Sequence, residues 1–108
     1  ASEEIKMGLF DKFLDCFNNF DPNTFRDLHH EDFIFLRETE MLTRDEHVEV
    51  ISRIATKDDW NWHNIVTLLY EDDYVSLIRW EESGEVVTNS CFVKDGQCWR
   101  SVVNRVPK

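Results

Sequence analysis

From residue 60 to the end of the chain, apolar and polar positions alternate in four runs, broken at Asp72-Asp73, Ser83-Gly84 and Asp95-Gly96. Period-two alternation marks strands whose two faces meet different surroundings, so the four runs predict an antiparallel meander. Asp95-Gly96 is the strongest reversal, because a two-residue hairpin turn needs positive φ at both central positions and Asp-Gly supplies it cheaply. It sets Val93 opposite Cys98 and, by continuation, Cys91 opposite Arg100, Asn89 opposite Val102 and Val87 opposite Asn104. A two-residue turn at Ser83-Gly84 pairs Trp80 with Val87, Ile78 with Asn89 and Ser76 with Cys91. The weaker Asp72-Asp73 turn adds Leu69 opposite Ser76, Thr67 opposite Ile78, Ile65 opposite Trp80 and His63 opposite Glu82.

Opposed residues share a face. One predicted face therefore carries Ile78, Trp80, Val87 and Cys91 with a sparse polar set, His63, Asn89, Arg100 and Asn104. The other carries Trp60, Trp62, Tyr70, Phe92 and Trp99. A sheet with one wet side should be polar on that side, and neither face is. Helices are expected to cover one face and a second subunit the other. The first face is taken as the interior for its Ile and Cys residues, and a one-residue bulge would exchange the assignment.

Upstream, the period changes. Ser2 is placed to cap a helix with Glu3 and Glu4 in its first turn, and Ile5, Leu9, Phe10, Phe13, Leu14, Phe17 and Phe20 follow at helical spacing. Such an aromatic stripe packs a core or walls an apolar pocket. Asp21-Pro22 ends this helix and starts a short one with Phe25 and Leu28 facing inward. His29-His30-Glu31-Asp32 reads as a surface loop, since adjacent ligands on extended backbone diverge and no other His stands at helical spacing to complete a metal site. Phe33 to Leu42 reads as one strand. Thr43-Arg44-Asp45-Glu46 is a capping box opening a third helix that runs to about Lys57. Its inward stripe is His47, Val50, Ile51 and Ile54, which puts an imidazole on an apolar face.

The 108 residues fit a single domain spanning 1–108. Twelve Lys and Arg against 22 Asp and Glu leave a net charge of −10, which argues against a nucleic-acid backbone or an anionic membrane as partner. With no signal-like or membrane-length apolar run, a soluble cytoplasmic protein is expected. The three cysteines, Cys16, Cys91 and Cys98, are read as free thiols, because the derived register sets Cys91 and Cys98 diagonally. Neither a phosphate loop nor a paired-Cys metal motif occurs, so no cofactor and no metal are expected.

The order of elements, the stretches FNNFDPNTFRDLHHEDFIF and TRDEHVEVI and the closing FVKDGQCWRSVVNRV resemble the nuclear transport factor 2-like (NTF2-like) superfamily, and more narrowly its SnoaL-like and ketosteroid-isomerase-like members. The resemblance covers nearly the whole chain. It implies an α+β fold in which a cone-shaped curved antiparallel sheet wraps around the long N-terminal helix, with two further helices and an apolar pocket at the open end. It further implies either a cofactor-free isomerase, dehydratase or cyclase, or a non-catalytic binding module, and a homodimer formed through the sheets. The family's first-strand carboxylate is replaced here by Arg37 or, one step along, Glu38, and an Arg cannot take a proton at neutral pH. Asn89 or Ser90 stands where the family's oxyanion acid would be, and His63 stands where its dehydratases place a histidine.

Two functions follow. In the first, the cone binds an apolar or carbonyl-containing small molecule, with His63 as general base, Asn89 as the polarising donor, Arg100 as an anion-binding donor and Trp80 as an apolar wall. Asn104, Arg37 and His47 are further ligand contacts. In the second, the polar residues satisfy one another and the domain is a dimeric association module.

Overall fold

A computed structural model describes residues 8–108. In chain order its elements are α1 (Leu9–Asn18), α2 (Pro22–Asp27), β1 (His29–Arg37), β2 (Glu40–Thr43), α3 (Arg44–Ala55), α4 (Trp62–Ile65), β3 (Thr67–Glu71), β4 (Val75–Glu82), β5 (Glu85–Lys94) and β6 (Gln97–Pro107). The strands form one open, curved sheet in the order β2-β1-β6-β5-β4-β3. Neighbours are antiparallel except β1 and β6, which run parallel. Leu9 and Phe13 of α1 pack with Phe33, Phe35, Val87, Cys91, Cys98 and Val103 of the inner face to make the core. This is the α+β cone the sequence predicts. The Ser2 cap and Ile5 lie outside the described residues.

Local chemistry explains most boundaries. Asp21 accepts the Asn23 N–H at 3.1 Å ahead of Pro22, the first residue of α2, since Pro is tolerated where helical N–H groups are unpaired anyway. At α3 the Thr43 hydroxyl accepts from the Glu46 N–H at 3.5 Å while Glu46 accepts from the Thr43 N–H at 3.0 Å, the reciprocal pair read from the sequence. Both hairpin turns are made as expected, with φ of 52° and 77° at Ser83 and Gly84, and 55° and 75° at Asp95 and Gly96. The strand expected over Phe33–Leu42 is instead two strands: Glu38 takes a φ of 54° and β2 folds back with Glu40 opposite Arg37.

Two registers depart from expectation. Between β5 and β6, Phe92 faces Arg100 but Val93 faces Cys98, so Trp99 is an extra residue on β6. Beyond this bulge Cys91 faces Ser101, Asn89 faces Val103 and Val87 faces Arg105. With a side-chain period of two, the single inserted residue turns Arg100, Val102 and Asn104 outward and brings Ser101, Val103 and Arg105 inward. Between β3 and β4, the Asp72 carboxylate accepts from the Tyr74 and Val75 N–H groups at 2.8 and 2.9 Å, and the Asp72 N–H donates to the Val75 carbonyl. This side-chain-stabilised turn centres on Asp73-Tyr74 and not on Asp72-Asp73. Glu71 therefore faces Ser76, and a second irregularity at Leu69 puts Leu68 opposite Ile78.

The cysteine reading is also corrected. Cys91 and Cys98 form a disulfide, and Cys16 is a buried free thiol. The diagonal placement that argued against a bridge holds, but the bulge strengthens the local twist and leaves the two Cα atoms 6.0 Å apart, within bridging range. No described helix is long and apolar enough to cross a membrane.

Candidate functional site

The concave face of the sheet, α1, α3 and the segment around Trp60 and Trp62 enclose a cavity of about 240 Å³. Its wall is mostly aromatic and aliphatic, as the phenylalanine stripe of α1 and the inward side of β4 and β5 dictate. Two histidines belong to it. His29, at the start of β1, and His47, on α3, hold their rings 5.4 Å apart near perpendicular. His47 stacks on Phe35 at 4.5 Å, and His29 lies between Phe25 and Phe33 at 4.7 and 4.6 Å.

The protonation of this pair follows from its surroundings. His29 Nδ1 lies 2.7 Å from the Phe25 carbonyl. A carbonyl only accepts, so Nδ1 carries the hydrogen and Nε2 the lone pair. Burial pushes the His29 pKa down to about 4, against the smaller upward pull of that hydrogen bond, with Arg44 adding repulsion. Burial also drives His47 down to about 3, helped by His29 and Arg37. Both imidazoles are neutral at pH 7.

The remaining polar residues of the wall are tied to neighbours. Ser101 donates to Asn89 Oδ1 at 2.7 Å, and the Asn89 amide hydrogens have no partner among the described residues. Arg37 meets Glu40 at 2.7 Å. Arg105 lies 3.4 Å from Glu82 and 3.6 Å from Glu85, and Trp80 Nε1 donates to the other Glu82 oxygen at 2.9 Å.

Of the residues expected in the site, Trp80, Asn89, Arg37 and His47 stand in the cavity wall. Arg100 and Asn104 do not: the Trp99 bulge puts them on the convex face. There Arg100 donates to the Asp32 carbonyl at 2.6 Å and its guanidinium lies 3.9 Å over the Trp99 ring. His63 sits on α4 and not on a strand, outside the described cavity wall, with Nδ1 buried and without a hydrogen-bond partner among the described residues. Trp60 and Trp62, assigned to the outer face, line the cavity. His29 and His30 are buried at 2% and 8% exposure and not in a surface loop. Among the described residues no group of three or more His, Cys, Asp or Glu is arranged to hold a metal.

Sequence reasoning thus passed over His29, Glu82 and Arg105. His29 had a usable signal, because stepping back by twos from Phe35 and Phe33 through Glu31 reaches it on the same face. Arg105 was hidden by the bulge alone.

No protein-family model matches the chain, and no curated protein matches it. Solved structures do. An NTF2-like protein of unknown function from Mesorhizobium loti superposes with a TM-score of 0.64 at 19% identity, covering 91% of this chain and 88% of that one. An NTF2-like protein of unknown function from Cytophaga hutchinsonii gives 0.67 at 11% identity, covering 97% and 96%. An LEH-like epoxide hydrolase from M. tuberculosis gives 0.62 at 12% identity, covering 91% and 80%. The fold is the NTF2-like cone. Its solved examples include both an enzyme and proteins whose function is open, so the fold by itself does not decide between catalysis and binding.

Proposed function

We propose that the cone is a small-molecule site whose histidine pair moves a proton on an apolar, carbonyl-containing ligand, without a cofactor, as in an isomerase or lyase. One observation carries this reading: the Phe25 carbonyl fixes the His29 tautomer so that an unprotonated Nε2 is held in an apolar wall. His29 is the general base. A buried imidazole is always available to accept at pH 7, and its low pKa rises toward the working range once a developing enolate lies beside it in low dielectric. His47, neutral at the same pH, offers an N–H to the carbonyl oxygen without having to give up a full proton. The Asn89 amide is a second donor.

The test is hydrogen–deuterium exchange at carbons next to the carbonyl in a panel of small apolar ketones in D2O, followed by mass spectrometry. Protein-accelerated exchange that disappears in His29→Gln supports the reading. Equal exchange with and without protein across the panel overturns it.

A second proposal concerns the convex face. Beside Arg100, Phe92 and Val102 are 45% and 39% exposed, Leu36 37% and Val106 52%. So much apolar surface on one side of a sheet is the ordinary mark of an interface, and a second copy of the chain is the occupant we propose. A mass in sedimentation equilibrium that stays monomeric at every concentration would sink it.

A further inference from the structure

We infer that the ligand of this cavity carries an organic cation, a tertiary or quaternary ammonium group, seated against an aromatic wall beside Glu82. The inference rests on the pocket reading above and adds the ligand's charge to it.

Four rings of the cavity are linked in the order Trp60, Phe17, Trp62 and Trp80, the first contact tilted and the other two edge to face. Phe17 lies 5.6 Å from Trp60 and 5.0 Å from Trp62, at 51° and 61°, and Trp62 lies 5.8 Å from Trp80 at 76°. Each ring is turned sharply against the next, and all four line one cavity, so the wall is faceted. Aromatic faces are the negative part of the ring quadrupole, and Trp provides the strongest. A wall of three tryptophans and a phenylalanine is a poor place for an anion and a good one for a weakly hydrated cation. A neutral hydrocarbon would find the same area without the electrostatic gain.

The positive groups at this end are already paired, and a carboxylate stands beside the rings. Glu82 holds Trp80 by its Nε1 and also lines the cavity, about half exposed, so its carboxylate marks the end of the aromatic wall. The two guanidinium groups of the wall are paired, Arg37 with Glu40 and Arg105 with Glu82 and Glu85, and Glu82 is the carboxylate that lines the cavity. The two histidines add none at pH 7. A chain carrying −10 also draws cations from solution.

Three probes of one shape separate the possibilities: choline, its neutral carbon counterpart 3,3-dimethylbutan-1-ol, and 3,3-dimethylbutanoate. Binding is read from the fluorescence of the cavity tryptophans and checked by calorimetry. Choline is expected to bind about tenfold more tightly than the alcohol, and the carboxylate most weakly. In Glu82→Gln the advantage of choline should shrink several-fold while the alcohol binds as before, which shows that the wall is intact. Equal binding of choline and the alcohol, or stronger binding of the carboxylate, overturns the cation assignment and leaves the pocket standing. Should none of the three bind, this inference falls, while the proton-transfer reading is decided separately by the ketone exchange.

Discussion

Glu71 closes the first turn of α1 from the far edge of the sheet: its Oε2 accepts from the Phe10 N–H at 3.0 Å, across 61 residues of sequence. The same oxygen accepts from the Ser76 hydroxyl at 2.7 Å, on the neighbouring strand. Gly8, ahead of α1, has no side chain to cap the helix, and a Cβ there would overlap the Glu71 carboxylate. One carboxylate thus serves as helix cap, complements the positive end of the helix and pins α1 over β3 and β4.

Glu71→Ala is expected to lower stability by about 1–2 kcal/mol, the range for losing a helix cap and leaving a partly buried N–H without a partner. Gly8→Ala should act in the same direction, because making room for the methyl group displaces that carboxylate. Urea unfolding of both variants measures it, and the double variant should cost less than the sum if the two act through one contact.

Stability should fall on acidification through the histidine pair. Both imidazoles have folded-state pKa values, about 4 for His29 and about 3 for His47, below the unfolded value of 6.5. Between pH 6.5 and about 4 the unfolded chain binds protons that the folded chain refuses. The contribution is therefore complete above 6.5 and is lost as pH falls, at up to about 1.4 kcal/mol per pH unit for each histidine. Urea titrations at pH 7 and pH 5 test this with His47→Phe, whose phenyl ring keeps the stack on Phe35. The variant should lose less stability over that interval than the parent chain.

How much of this was legible in the sequence depends on whether a signal was local. Asp95-Gly96, the Thr43–Glu46 box and Asp21-Pro22 each settle their own geometry within four residues, and each reads through to the structure. The alternation of β4 and β5 placed Trp80 and Asn89 inward for the same reason, and the helical period of α3 placed His47. The bulge at Trp99 has no such signature: the residue continues an acceptable strand pattern, and only the packing of β6 between β5 and β1 selects the register. The segment Trp62–Ile65 likewise satisfies a strand pattern, yet forms a helical turn that carries Trp60 and Trp62 to the phenylalanine stripe of α1. Apolar burial overrode local preference at both places.

The Cys91–Cys98 bridge closes a short loop across the final hairpin. Closing a loop of about eight residues restricts the unfolded chain enough to stabilise the fold by roughly 2 kcal/mol. Thiol titration in denaturant should find one free thiol, Cys16, before reduction and three after it. Cys91→Ala/Cys98→Ala should unfold at lower urea than the oxidised parent and close to the reduced parent. Three reactive thiols without any reductant would remove the bridge from the fold.

Two arginines of β6, Arg100 and Arg105, five residues and about 17 Å apart along the strand but on opposite faces, give the sharpest test of the register. Arg100 serves the convex side, where it satisfies the Asp32 carbonyl and covers Trp99. Arg100→Ala should cost about 1 kcal/mol of stability and leave choline binding unchanged. Arg105 stands at the cavity end between Glu82 and Glu85. Arg105→Ala should change stability by less than about 1 kcal/mol, since both partners are partly exposed, and should tighten choline binding by removing a like charge from the wall. In the unbulged register the roles reverse, because Arg100 would then face the cavity and Arg105 the convex side. Weaker or stronger choline binding in Arg100→Ala, with none in Arg105→Ala, would therefore show that β6 lies in the unbulged register and that Trp99 is paired.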